Sequence, residues 1–366
     1  MGDGSRIEWT EATWNPVSGC DRVSPGCDQC YALTMAARLK GMGSEHYQTD
    51  GPALTSGPGF GISFHGEKTL TQPLRWTKPR RVFVDSMGDL FHKDVPDEFI
   101  ARVFAVMAAA PQHTFQLLTK RHGRMRSLLN NSLWWQYEFA SACRDLGVDY
   151  AAAGTWSGDV ATLPNVHLGV SVEDQKHADL RIPALLGTPA AVRWISAEPL
   201  LGPIDLTRLP FPAWTGMSTG QPDAVVDAVG GRYGVPGRWQ AKATGLDWIV
   251  CGGESGAKAR PMHPDWPRSL RDQCETAGVP FLFKQWGSWA AGSNGYGLGK
   301  RECLVTRTGE WVSPPVALWE VPDWARDDIN RMGWSFMHRP ASKHDAGRTL
   351  DGRLHDGYPV GSEMKR

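Results

Sequence analysis

Residues 81–118 read RVFVDSMGDLFHKDVPDEFIARVFAVMAAAPQHTFQLL. Two apolar runs, Arg81–Ser86 and His113–Leu118, flank the helix-compatible segment Asp97–Ala110. The runs are of strand length, rich in β-branched and aromatic residues, and nearly continuous in apolar character. Such runs suit parallel strands covered on both faces. Pro96, just ahead of the central segment, marks a helix start.

The same rhythm extends outward. Strand-like runs recur at Val166–Val172, Val192–Ser196, Asp247–Cys251 and Pro280–Lys284, with a further strand expected around Thr13–Val17. Helix-compatible stretches intervene at His122–Gly147, Asp174–Leu186 and Pro264–Ala277. Strands alternating with helices specify an α/β fold with a parallel sheet, and repeated right-handed crossovers curl it towards a barrel. The expectation is a parallel (βα) barrel, incomplete, of about six or seven units. Three stretches break the rhythm: the glycine-rich 40–68, the Pro/Gly/Asp-rich 206–245, and everything from Trp289 onward. We expect a barrel over 1–288 with the first two as loop insertions, and a C-terminal extension, 289–366, packed on it.

Composition sets the bounds. The chain has 366 residues and 40.3 kDa, enough for a sizeable core without staples. Lys+Arg and Asp+Glu both number 39, which argues against a histone-like grip on duplex DNA. The charge is nevertheless segregated along the chain. Residues 75–126 carry ten Lys/Arg against five Asp/Glu, and residues 127–236 carry six against eleven. No apolar run reaches membrane-spanning length and the first residues lack a signal-peptide stretch, so a cytoplasmic protein without membrane attachment is expected. Seven cysteines, an odd number, make a disulfide framework improbable in that setting.

Three of those cysteines, Cys20, Cys27 and Cys30, form a C-x6-C-x2-C pattern within TWNPVSGCDRVSPGCDQCYAL. Thiolates bind soft metals, and prolines and glycines keep this stretch from being helical, so the thiols share a wrapped loop. Structural zinc normally takes four ligands, whereas three leave a position open for chemistry. Two readings stand. The cysteines hold three irons of a [4Fe-4S] cluster whose fourth iron chelates S-adenosylmethionine, the arrangement of radical S-adenosylmethionine enzymes; there the first gap is usually three residues and an aromatic residue precedes the last cysteine, whereas here the gap is six, Gln29 precedes Cys30 and the aromatic residue is Tyr31. Alternatively a distant residue such as His46, His65, Cys143 or Cys251 completes a structural metal site.

The segment IEWTEATWNPVSGCDRVSPGCDQCYA resembles the signature of a phage-associated family of three-cysteine-motif proteins of unknown function. The likeness continues in VDSMGDLF, QLLTKR, LGVSVE, SAEPLLGPI, CGGESG, FLFKQWG and LDGRLHDGYP, so it spans nearly the whole chain in order. That family is similar to radical S-adenosylmethionine enzymes. The resemblance therefore implies a [4Fe-4S] cluster and S-adenosylmethionine as cofactors, and an electron donor such as flavodoxin or ferredoxin. A 5′-deoxyadenosyl radical would then abstract hydrogen from the substrate. By the same likeness Gly88 and Asp89 contact the methionyl ammonium, and Gly252, Gly253 and Glu254 lie near the adenine.

In βα barrels chemistry gathers at the C-terminal strand ends. There Lys120 and Arg121 suit a carboxylate or phosphate. Ser171, Glu173, Ser196 and Glu198 suit ribose hydroxyls or acid–base work. Lys284 closes the last strand, facing a second substrate or an ion pair. Cys143, Cys274 and Cys303 read as core hydrophobes. The basic stretch, the many tryptophans and the phage association fit a nucleobase or nucleotide in DNA or RNA modification or repair, with a partner protein allowed for. A small-metabolite substrate and a non-catalytic, metal-stabilised nucleic-acid-binding protein are the rival readings.

Overall fold

The computed structural model describes residues 7–210, 224–242, 244–292, 302–312, 329 and 331–359. Its principal sheet has seven parallel strands: β1 (Ala12–Trp14), β2 (Arg81–Val84), β3 (Thr114–Thr119), β4 (Val166–Ser171), β5 (Val192–Ala197), β6 (Trp248–Gly252) and β7 (Phe281–Gln285). Their spatial order is their chain order, each strand laid beside its predecessor. The order has two ends, β1 and β7.

Two compact units divide the chain: Met1–Ser171 with Ala184–Trp194, and Val172–Pro183 with Ile195–Arg366. The boundary passes through β5.

In the first unit β1–β4 pair in parallel, with Phe83, Gln116 and His167 abreast in one row and Val84, Leu117 and Leu168 in the next. Helix α1 (Tyr31–Gly41) follows the cysteines, and α2 (Asp97–Ala108) links β2 to β3. Along α2, Ile100, Val103, Phe104 and Met107 are buried while Glu98 and Arg102 stay in water. Each buried apolar side chain contributes about 1.5–3 kcal/mol, so packing and not intrinsic propensity holds this twelve-residue helix. The stretch expected as one helix over 122–147 is broken. Helix α3 (His122–Leu129) ends at Asn130, Asn131 caps the next turn through Leu133 N, and a π turn at Trp135–Phe139 precedes the helical Ala140–Asp145. The wide π turn lets Trp134, Trp135 and Phe139 pack together on Phe104.

In the second unit β6 and β7 pair in parallel. Helix α4 (Gln175–Leu186) straddles the unit boundary, and α5 (Asp265–Ala277) stops at Gly278 in the left-handed conformation. The insertion at 206–245 is ordered, not merely a loop. Leu209–Pro210, Val225–Asp227, Arg232–Val235 and Arg238–Lys242 form an antiparallel meander, although 211–223 and 243 lie outside the described residues. After β7 a second antiparallel sheet contains Ala290–Ala291, Glu302–Thr306, Trp311–Val312 and Trp334–His338. The tail then returns to β7: Phe283 N donates to His355 O, Gly357 N donates to Phe281 O, and the Trp248 indole donates to Gly357 O at 2.8 Å. An exposed strand edge invites non-native pairing, and this return covers that of β7. Among the described residues no helix is long and apolar enough to cross a membrane.

Candidate functional site at the cysteine loop

β1 ends at Trp14, and after Pro16 the chain pairs Val17–Ser18 antiparallel with Ser63–Phe64 before entering the cysteine loop. The loop is fastened at its start. Gly19 N donates to Met87 O at 2.9 Å and Gly19 bridges Gly88, so the pairing of β1 with β2 continues beyond both strands. Gly19 has φ +100°, and a Cβ there would stand 2.3 Å from Gly61 O, so only glycine fits. The segment 49–61, part of the glycine-rich insertion 40–68, is bonded to the loop. Cys20 N donates to Phe60 O, and Arg22 N donates to Thr55 O.

All three cysteines are free and half-buried. Cys20 and Cys30 pack against an apolar cluster of Ala32, Ala36, Tyr47, Phe60 and Met87. Burial pushes the Cys20 thiol up to about 12; the charge of Asp89 adds to this and Arg121 opposes it. Burial also raises Cys30, with Lys120 opposing. Cys27 is within electrostatic reach of both. The three thiols thus share one neighbourhood, low in dielectric and bordered by two cations.

Asp21 and His92 are further members that sequence reading missed. The Asp21 carboxylate accepts from Thr55 Oγ1 at 3.0 Å, Ser56 Oγ at 3.1 Å and His92 Nε2 at 3.1 Å. Burial works against its charge, but these hydrogen bonds hold its carboxyl below the usual carboxylate range. His92 Nδ1 accepts from Asp94 N, which fixes the tautomer that donates to Asp21. Arg121 Nη2 donates to Asp21 O at 3.1 Å and stands 4.0 Å from Cys20 Sγ. An acid between cysteines was visible in the sequence; its partner in a turn 71 residues away was not.

The turn ending β2 joins this group. Asp89 Oδ1 accepts from Thr119 Oγ1 at 2.7 Å and from Phe91 N, and its Oδ2 accepts from Lys120 N at 3.1 Å. Asp89 is therefore a brace between the ends of β2 and β3. The Tyr31 hydroxyl donates to Ser86 O, tying α1 to the same turn. Asn15 Oδ1 accepts from Ser86 Oγ and Met87 N. Cys20, Cys27, Cys30, Tyr31, Gly88, Asp89, Lys120 and Arg121 are thereby gathered in one unit, at the C-terminal ends of β1, β2 and β3. Ser171 is the buried last residue of β4.

The remaining candidates lie in the second unit. Lys284 Nζ donates to both oxygens of Glu198, at 2.8 and 3.0 Å, and the pair is about one-fifth exposed. The side chain of Glu198 passes over Gly252. A Cβ on Gly253 would stand 2.0 Å from Trp286 O, so backbone packing accounts for that glycine. Glu254 is occupied by Arg260, whose Nη2 reaches Oε1 at 2.6 Å. Glu173 is sealed and bonded to Arg181 at 3.0 Å; Ser196 is buried. Cys251 is buried in β6 and its thiol pushed well up by that burial, as befits a core residue. Trp134, Trp135, Trp286 and Trp289 are all buried as well.

Among the described residues, no three His, Cys, Asp or Glu side chains are gathered closely enough to hold one metal ion. His46 and His65 stack ring on ring at 4.0 Å, and His65 Nε2 meets Ser18 Oγ.

No curated protein and no solved structure matches this chain. One family model does, over residues 4–359, described as a protein of unknown function, DUF5131. The chain belongs to the DUF5131 family.

Proposed function

We propose that this chain is a radical S-adenosylmethionine enzyme, with a [4Fe-4S] cluster on Cys20, Cys27 and Cys30. The observation that carries the reading is a group of three thiols on one loop at the C-terminal ends of β1–β3. Ligands in α/β sheets bind at those ends. The donor set suits the group. A cubane takes each thiolate on a different iron, so three cysteines on one loop can hold three of its four corners.

A cluster there would supply one-electron reduction of S-adenosylmethionine, leading to hydrogen abstraction from a substrate. The chain's own residues do the rest. Arg121 offers positive charge to the Cys20 sulfur and holds the loop by its Asp21 carbonyl. Asp89 and Tyr31 fix the β2 turn, and the apolar cluster behind Cys20 and Cys30 keeps water from one side. The donor we propose is a flavodoxin or ferredoxin. The substrate we propose is a nucleobase or nucleotide, on the strength of the basic excess in 75–126. For Lys284 and Glu198 we propose a substrate-positioning ion pair, since the ammonium can donate a hydrogen bond to a substrate and the carboxylate can accept one.

The test is anaerobic reconstitution followed by iron, sulfide and zinc analysis, with absorbance spectra before and after S-adenosylmethionine. Expected is brown protein with about four irons, perturbed by S-adenosylmethionine and lost in Cys20→Ala, Cys27→Ala and Cys30→Ala. Colourless protein holding one zinc after reconstitution would sink the reading.

A further inference from the structure

A cavity of about 770 Å³ opens to solvent within the second unit, between α5 and the antiparallel meander. That volume suits a small molecule, but the walls are far more polar than those of an ordinary apolar pocket. Asp227 and Arg232 line it from the meander, and Arg268, Ser269, Asp272 and Thr276 line it from α5. The opposite face of α5, with Trp266, Leu270 and Cys274, is buried. Gln273 fastens the helix to the chain entering the meander: its Oε1 accepts from Leu206 N at 2.7 Å, and its Nε2 donates to Ile204 O at 2.9 Å.

The two guanidinium groups of the lining are held differently. Arg268 is used up: Nε and Nη2 reach Asp351 Oδ1, and Nη1 reaches Asp265 Oδ1. Arg232 donates through Nε alone, to Asp227 Oδ2 at 2.8 Å, and its guanidinium carbon stands 4.5 Å from the centre of the Trp239 ring. Asp227 is 2% exposed, and its Oδ1 accepts from Gly230 N at 2.7 Å. A buried carboxylate thus fixes one edge of Arg232 and an indole supports one face. Its Nη1 and Nη2 have no partner among the described residues. Such a fork, ordered in advance, suits both oxygens of a carboxylate or phosphate. Nearby acids do not oppose an anion, since Asp265 is met by Arg268 and Arg307, and Asp272 by Arg271. From α5 come groups suited to hydroxyls. Ser269 Oγ accepts from Gln273 Nε2 and keeps its O–H to donate. Thr276 Oγ1 donates to Asp272 O and keeps its lone pairs, while Asp272 gives only Oδ1 to Arg271.

We propose that this cavity binds an anionic sugar, its phosphate or carboxylate on the Arg232 fork and its hydroxyls on Ser269, Asp272 and Thr276. The site is independent of the function proposed above, for Cys20, Cys27 and Cys30 all belong to the first unit.

The test titrates glucose 6-phosphate, ribose 5-phosphate and glucuronate into the full-length protein by calorimetry, with glucose and inorganic phosphate alongside. At least one anionic sugar is expected to bind about tenfold or more tighter than glucose or inorganic phosphate. It should also slow amide exchange in 225–235 and 265–277. Comparing glucose 6-phosphate with glucuronate tells which oxyanion the fork prefers. Arg232→Lys keeps a charge beside Asp227 but loses the fork, and Thr276→Ala alters an exposed side chain on the helix. Each is expected to weaken binding, by about tenfold for Arg232→Lys and by roughly fivefold for Thr276→Ala. Wild-type protein that binds none of the three sugars would overturn the proposal without recourse to any variant. Inorganic phosphate binding as tightly as the sugars would overturn it too, since the hydroxyl contacts would then be idle. So would folded variants that bind as the wild type does, or protection from exchange that falls outside both segments.

Discussion

Asp85 illustrates how much a single side chain can cost a fold. It ends β2 with φ +55°, it is 4% exposed, and only one carboxylate oxygen has a partner, the Val17 N–H. Oδ2 is sealed and alone. Burial therefore raises its carboxyl well above the ordinary 3.8. The sign follows directly. The fold keeps a proton that the unfolded chain sheds above 3.8, so on this group's account stability is full below 3.8 and falls as pH rises towards the folded value. Asn has the same shape, keeps the acceptor for Val17 and tolerates positive φ well. Asp85→Asn is expected to stabilise the protein at neutral pH, by about 1.4 kcal/mol for each pH unit of the window removed. Urea midpoints at pH 5 and pH 8 check it: an advantage that does not grow with pH would refute the account. None of this was legible in the sequence, where Asp85 reads as one of two acids in a turn. Cys20, Cys27 and Cys30, by contrast, could be singled out from spacing alone.

At the scale of elements, the cysteine loop owes its shape to neighbours as well as to its own turns, in which Cys27 N donates to Ser24 O and Cys30 N to Cys27 O. Asp21 gathers Thr55 and Ser56 from the glycine-rich segment and His92 from the turn after β2. Charge-assisted hydrogen bonds contribute roughly 1.5–3 kcal/mol each, although not additively. Asp21→Ala is expected to cost about 3 kcal/mol locally. Amide exchange should accelerate in both 20–30 and 55–61, with iron retention falling in parallel. Acceleration confined to one of the two segments would show that Asp21 does not couple them. The parallel strands were legible because burial on both faces leaves runs such as VFV and FQLL. The meander inside 206–245 was not, since its short antiparallel strands alternate with Gly, Pro and Asp and leave no period to read. The break at Asn130–Asn131 was missed for a related reason: helix-compatible residues on both sides hide a cap that only the fold selects.

For the whole molecule, a ligand that binds only the folded state stabilises it by mass action. Loading of the proposed cluster at a hundredfold over its dissociation constant would be worth about 2.7 kcal/mol. That corresponds to a rise in melting temperature of roughly 5–10 °C for a unit of this size. The rise should vanish in Cys20→Ala, and chelation of iron should reverse it. An equal rise in that variant would place the metal elsewhere. The open order of the sheet, β1 to β7, agrees with the incomplete barrel expected from the strand rhythm. The division into two units did not emerge from the sequence, because it follows no shift of composition: it cuts β5 between Trp194 and Ile195. That cut bears on how the protein is made. The nascent chain leaves the first unit after Ser171 and comes back to it only for Ala184–Trp194. Trp194, which meets both Trp9 and Gly169, is thus the last piece of that unit to leave the ribosome. The cysteine loop, translated among the first thirty residues, must wait for it. A gene split at residue 171 would separate Trp9 from its indole partner, so the first half of the coding sequence would lack a piece of the first unit, while the second half would carry the whole of the second.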